Sequence, residues 1–242
     1  MFLSNKYISI ITSLIILLLI GCEASTETFL FDGSTLEGWE GSSKAFRVEG
    51  GSIIGGDLEE PLNESYYLCT TKKYRNFELT LSAKFNDDKA IGNAGVSFRA
   101  KRVPNSNEVA SYQADMGHIA PKFISLFSDH TPQDMDNPFS LWGSLVDECR
   151  ADTSRYPNAD QFPVVFLGIP DRTQINEIVK IDDWNEIKVF AYENNIEIRV
   201  NGVTTVKFTE NKDISKEGFI CLQAHSGEPF EIQYKDIKIK EL

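Results

Sequence analysis

The sequence predicts an all-β protein, an antiparallel β-sandwich of the concanavalin-like jelly-roll kind. Three observations carry this. Apolar and polar residues alternate with period two in segment after segment, turns rich in glycine and asparagine separate the segments, and no long stretch shows the 3.6-residue period of an amphipathic helix. Alternation of this kind buries one face of each strand and leaves the other polar, as sheets packed face to face require.

The N-terminus stands apart from that pattern. Lys6 precedes an uncharged apolar run from Tyr7 to Ile20, followed by Gly21-Cys22. The run is short for a membrane span of about 20 residues and reads as a secretory signal with a small residue before the cleavage point. Leu19-Ile20-Gly21-Cys22 resembles a bacterial lipobox, whose cysteine becomes the acylated first residue of the mature protein. Residues 1–21 are then a lipoprotein signal peptide, 22–28 an acylated Cys22 with a short polar tether, and 29–242 one folded domain. Acyl chains hold such a domain to a membrane without spanning it. Glu23, in place of the Asp of inner-membrane retention, points to the outer membrane or cell surface of a bacterium. An uncleaved anchor or an ordinary signal peptide is the alternative.

The formal net charge is −12, and loss of Lys6 takes it to −13 (−12 − 1). An acidic surface repels phosphate, and no basic cluster interleaves with aromatics, so nucleic acid is excluded as a partner. Cys69, Cys149 and Cys221 show no C-x-x-C or Cys/His spacing, which argues against zinc. They allow at most one disulfide within the chain, and the strand-like contexts of Cys69 and Cys221 favour buried free thiols.

Short strands are expected at Phe46–Val48, Ser52–Ile54 and Tyr66–Thr70, with Gly50-Gly51 and Gly55-Gly56 as turn material. From Phe77 to Phe85 the alternation is cleanest. Ala94–Arg99 and Ala110–Met116 follow as a pair. In the first, Val96 and Phe98 alternate with Ser97 and Arg99; in the second, Tyr112, Ala114 and Met116 alternate with Gln113 and Asp115. One polar sheet face would then carry an amide, a carboxylate and a guanidinium. A solvated face whose charges pair across strands is the plainer reading, with Asp115 against Arg99.

His118–Gln161 reads as one long loop region containing Ser140–Arg150; loops of that length are commonly functional. Pro163–Gly168 is apolar and 171–183 polar. A meander then runs through Trp184–Tyr192, Ile196–Val200 and Val203–Phe208, with Asn201-Gly202 suited to a type I′ turn. Gly218–His225 places Phe219, Cys221, Gln223 and His225 on one face. In the last strand the apolar phase shifts between Tyr234 and Ile237, which predicts a bulge near Lys235 and Asp236. Trp39 and Trp184 read as core or edge packing.

The order of these motifs resembles the bacterial 3-keto-disaccharide hydrolase family over almost the whole mature chain. The resemblance rests on Phe31-Asp-Gly-Ser-Thr-Leu-Glu-Gly-Trp39, Tyr74-Arg-Asn-Phe-Glu-Leu79, Gly92-Asn-Ala-Gly-Val96 with Phe98-Arg99, and Tyr112-Gln-Ala-Asp115. It continues through Trp142-Gly-Ser-Leu-Val-Asp-Glu148 with Arg150, Trp184-Asn185, Asn201-Gly202 and Leu222-Gln-Ala-His225. Val146, Cys149 and Ala151 depart from the family's usual residues and bear on substrate range.

The resemblance implies a jelly roll that cleaves glycosides already oxidised at C3 of a pyranose. A C3 ketone acidifies the C2 hydrogen; a base removes it, the enolate expels the C1 substituent, and water adds to the unsaturated product. Such a site needs a base near C2, a cation or donor at the enolate oxygen, and an acid at the leaving oxygen. Asp115, Asp147 and His225 are the candidate catalytic residues. Arg99, Gln113, Trp142, Glu148, Arg150 and Gln223 are the candidate substrate-binding residues, with Trp142 stacking on a sugar ring. A divalent cation such as Ca²⁺ is a further candidate at the oxyanion, although no D-x-[DN]-x-[DN]-G loop is present. A lectin-like surface lipoprotein of the same architecture, a two-carboxylate glycosidase and a structural surface lipoprotein are the rival readings.

Overall fold

The computed structural model describes residues 26–86, 92–119, 139–148, 150 and 164–242. Lys6, Cys22, the signal segment and Cys149 lie outside the described residues. Among those described, the chain forms two antiparallel sheets packed face to face.

The first sheet, A, takes β1 (Thr28–Phe29), β3 (Phe46–Glu49), β4 (Ser52–Asp57), β6 (Phe77–Asn86), β12 (Asn185–Tyr192), β13 (Asn195–Val200), β14 (Val203–Thr209) and β16 (Phe230–Glu241). Their order is β14-β13-β12-β6-β16-β4-β3, with β1 beside β16. Sheet B takes β2 (Trp39–Glu40), β5 (Tyr66–Thr70), β7 (Asn93–Arg102), β8 (Val109–Ile119), β9 (Phe139–Ser140), β10 (Leu145–Glu148), β11 (Val164–Gly168) and β15 (Phe219–Ala224). Its order is β11-β10-β8-β7-β15-β5-β2, with β9 beside β8.

Period-two alternation produces the core directly. Phe77, Leu79, Leu81 and Ala83 of β6 are fully buried and face Val96, Phe98, Ala114, Met116 and Leu222 of sheet B. The meander closes through Asn201-Gly202, both at positive φ (48° and 82°), as a type I′ turn requires. In β16 the register against β6 shifts between Lys235 and Lys238, with Asp236 at φ 53°, where the apolar phase slips in the sequence.

Three expectations are corrected. β10 lies inside the segment read as loop and is a full member of sheet B, between β8 and β11; a four-residue strand holds too few periods to show alternation. The polar stretch after Gly168 contains α1 (Arg172–Ile178), capped by the Asp171 side chain accepting from the Gln174 N–H and pinned by buried Ile175. Cys69 and Cys221 are joined as a disulfide instead of standing as free thiols. They are directly paired residues of adjacent β5 and β15, so their side chains meet on one face.

Candidate active site

The outer face of sheet B, away from sheet A, carries the polar partners of the core residues. Register lines them up in rows. Gln223 of β15 pairs with Tyr67 of β5, and Gly95 of β7 with Asp115 of β8. One row on, Cys221 pairs with Ser97, and Ser97 with Gln113. Beyond that, Ser111 pairs with Glu148 of β10.

A hydrogen-bonded network runs across these rows. The Gln113 amide donates to Asp115 Oδ1 at 2.7 Å and to Gln223 Oε1 at 3.1 Å, and its carbonyl accepts from Ser97 Oγ at 2.7 Å. Gln223 in turn donates to the Tyr67 hydroxyl at 2.7 Å, and Tyr67 hydrogen-bonds the Glu108 carboxylate. Gly95 makes this possible. A Cβ there would stand 2.5 Å from Gln113 Cδ, so the missing side chain is the space in which the Gln113 amide lies.

Burial sets the electrostatics. Asp115 is 6% exposed, and desolvation pushes its carboxyl up to about 7 against the opposing pull of the Gln113 hydrogen bond. Glu148 is held well above the usual carboxylate range, first by burial and then by the charges of Asp115, Glu108 and Asp147. Burial, then the charge of Glu64, raises Glu108 to about 7. At neutral pH this face therefore holds two carboxyls poised between their two forms, Asp115 and Glu108, and a third, Glu148, that keeps its proton. Two buried hydroxyls flank them without hydrogen-bond partners: Ser111, opposite Glu148, and Ser144, whose carbonyl receives the Asp115 N–H.

His225 follows Gln223 by two residues on the same face, at the end of β15, with its backbone N–H on the Asn93 carbonyl at 3.3 Å. Its Nδ1 lies 2.7 Å from the Ser226 carbonyl. A carbonyl can only accept, which assigns the proton to Nδ1 and makes Nε2 the accepting nitrogen of the neutral ring. Burial lowers its pKa, which favours the neutral ring.

Other expected members are elsewhere. Arg99 does not share the face of Ser97, because the β7 register breaks between Phe98 and Lys101 and Arg99 takes φ 50°. The bulge turns its guanidinium onto the carbonyls of Arg75 and Glu193 at 2.8–3.2 Å, so no Arg99–Asp115 pair forms. Asp147 lies on the opposite side of β10 from Glu148, paired with Tyr112, and accepts the Arg150 backbone N–H at 2.6 Å. Arg150 lies over the Tyr112 ring and donates to the carbonyls of Arg99 and Ser215. Trp142 is 3% exposed, packed edge-on against Phe85 in the core, and so offers no face to a sugar. Trp39 is buried as expected, its Nε1–H on the Leu30 carbonyl.

Tyr67 and Glu108 were not singled out from sequence. Tyr67 sits on an alternating strand like any other, and Glu108 precedes β8 with no local pattern to mark it. Among the described residues no group of three or more His, Cys, Asp or Glu side chains is arranged to hold a metal ion.

Comparison with known proteins fits this architecture. A family model described as a 3-keto-alpha-glucoside-1,2-lyase-like domain matches residues 26–240. A candidate glycosyl hydrolase from Parabacteroides distasonis superposes with a TM-score of 0.59 at 20% identity, over 89% of this chain and 94% of that one. A second from the same organism gives 0.56 at 17% identity, over 90% and 100%. The carbohydrate-binding module CBM66 of Bacillus subtilis gives 0.51 at 8% identity, over 88% and 100%. At these identities the structural likenesses speak to the fold alone. No curated protein matches the chain.

Proposed function

Since the chain belongs to the 3-keto-alpha-glucoside-1,2-lyase-like domain family, we propose that it cleaves 3-keto-glycosides by elimination followed by hydration on the outer face of sheet B. One observation carries the reading: a buried Asp115 carboxyl, raised to about 7 and held by an amide network, on the same sheet face as a protonated Glu148 whose proton its charge helps to hold. Asp115 as carboxylate takes the C2 proton. The electron pair forms the C2=C3 enolate, and its collapse re-forms the C3 carbonyl, moves the C2=C3 pair into a C1=C2 bond and breaks the C1–O bond. Glu148 gives its proton to the departing oxygen. In the second half water adds to C1, its proton passing to Nε2 of His225, while Asp115 returns its proton to C2; transfer of the His225 proton to the Glu148 carboxylate through solvent restores the starting forms. Gln223, with one amide N–H beyond the Tyr67 bond, and the unpartnered Ser111 and Ser144 hydroxyls are the donors and acceptors for sugar oxygens. Arg99 and Arg150 have no part in this scheme.

The test is incubation of purified protein with an aryl 3-keto-glucoside and with its unoxidised parent. Aglycone release from the keto form only, lost in Asp115→Asn, is the expected outcome. Binding of sugar with no release from either would overturn the reading in favour of a carbohydrate-binding module.

The N-terminal pattern supports export and acylation at Cys22, and the Cys69–Cys221 bridge is a bond of oxidising compartments. Cys22→Ala should move the protein from the membrane to the soluble fraction; an unchanged distribution would exclude acyl anchoring.

A further inference from the structure

Beyond the Cys69–Cys221 bridge, at the end of the sandwich, lies a cavity of about 430 Å³, within the usual size of small-molecule sites. Phe219 lines it, four residues before Gln223 on β15, so it begins about 13 Å along the strand from the row of Gln223 and Asp115. Its charged lining is Lys73, Arg99, Lys101 and Arg150 against Asp213 and Glu217, an excess of two positive charges (4 − 2) in a chain of net charge −12.

Two of these cations are buried, Arg99 at 2% and Arg150 at 8% exposure. Buried guanidinium groups ordinarily pair with carboxylates. Here, among the described residues, both side chains donate to backbone carbonyls of Arg75, Glu193, Arg99 and Ser215, and Arg150 also meets the Tyr112 hydroxyl. Among the described residues the buried Nε–H of Arg150 has no acceptor. Arg99 is lowered to about 10, first by burial and then by the charge of Arg150; the nearest opposing charges, Glu193 for Arg99 and Asp147 with Glu210 for Arg150, act at a distance.

We propose that this cavity binds a small oxyanion-bearing molecule, a carboxylate or a sulfate or phosphate ester on a sugar-sized body. The planar guanidinium of Arg150 offers directed N–H donors to such a group, and Lys73 and Lys101 at the rim add charge. The assignment stands on the cavity and its arginines, independently of the chemistry assigned to Asp115.

Calorimetric titration at fixed ionic strength tests it, with sodium sulfate, inorganic phosphate, glucuronate and glucose as probes. The anions should bind saturably and glucose should not. Sulfate and phosphate binding as tightly as glucuronate would identify the bare oxyanion as the ligand; tighter glucuronate would identify a sugar acid. The exposed pair Lys73→Gln with Lys101→Gln, which leaves the buried arginines in place, should weaken anion binding about tenfold. Asp115→Asn should leave it unchanged, which separates this site from the keto-glycoside site. No saturable binding of any anion, or binding unaffected by the double lysine variant, would overturn the proposal.

Discussion

Asp115 is where environment outweighs residue type. A carboxylate on a solvated strand titrates near 4, whereas this one is raised from 3.8 to about 7 by burial. If it is the base, the pH profile of kcat/KM for a 3-keto-glycoside should rise through a limb centred near pH 7; a limb near pH 4 would exclude Asp115. Asp115→Asn keeps an oxygen for the Gln113 amide but cannot take a proton, so turnover should fall by about 10²–10⁴-fold with little change in Tm. Gly95→Ala tests the network from the other side. Its Cβ meets Gln113 at 2.5 Å and must displace the amide from Asp115, so the loss of turnover should exceed the loss expected from its change in Tm. The residue types of Gln113, Asp115, Gln223 and His225 and their alternation were legible in the sequence. The raised Asp115 was not, because desolvation depends on which segments pack together.

At the scale of strands and turns, periodicity located every long strand, the type I′ turn and the β16 bulge. It failed where a feature lacks period. The β7 bulge is a local left-handed step at Arg99 that sends one side chain off its expected face, and nothing in Ser97-Phe-Arg99 signals it. Asp147 and Glu148 are adjacent in sequence, so a strand must separate them to opposite faces; once β10 is recognised, only Glu148 can join Asp115. The disulfide follows from register, which composition does not reveal. It closes a sequence separation of 152 residues, and its removal in a Cys69→Ser/Cys221→Ser variant should lower stability by about 2–5 kcal/mol. Equal Tm values for that variant and the oxidised protein would show that the bridge contributes nothing.

For the molecule as a whole, the buried acids make stability depend on pH in a defined direction. Asp115 and Glu108 have folded pKa values near 7 against 3.8 and 4.5 when free. Between those limits the folded state binds more protons than the unfolded one, so unfolding free energy falls as pH rises from about 4 to 7 and levels off above. Chemical denaturation at pH 5 and pH 8 should show the lower midpoint at pH 8. In Asp115→Asn with Glu108→Gln the gap should shrink; an unchanged gap would place the effect in other groups.

Cys221 stands midway between Phe219 and Gln223 on one face of β15, so the bridge it forms with Cys69 divides two neighbourhoods of opposite polarity. On one side Asp115, in its ionised form, repels an anion; on the other, guanidinium groups attract it. A visitor with a negative end and a neutral end meets a field that has a direction, and it is turned about before it touches either wall.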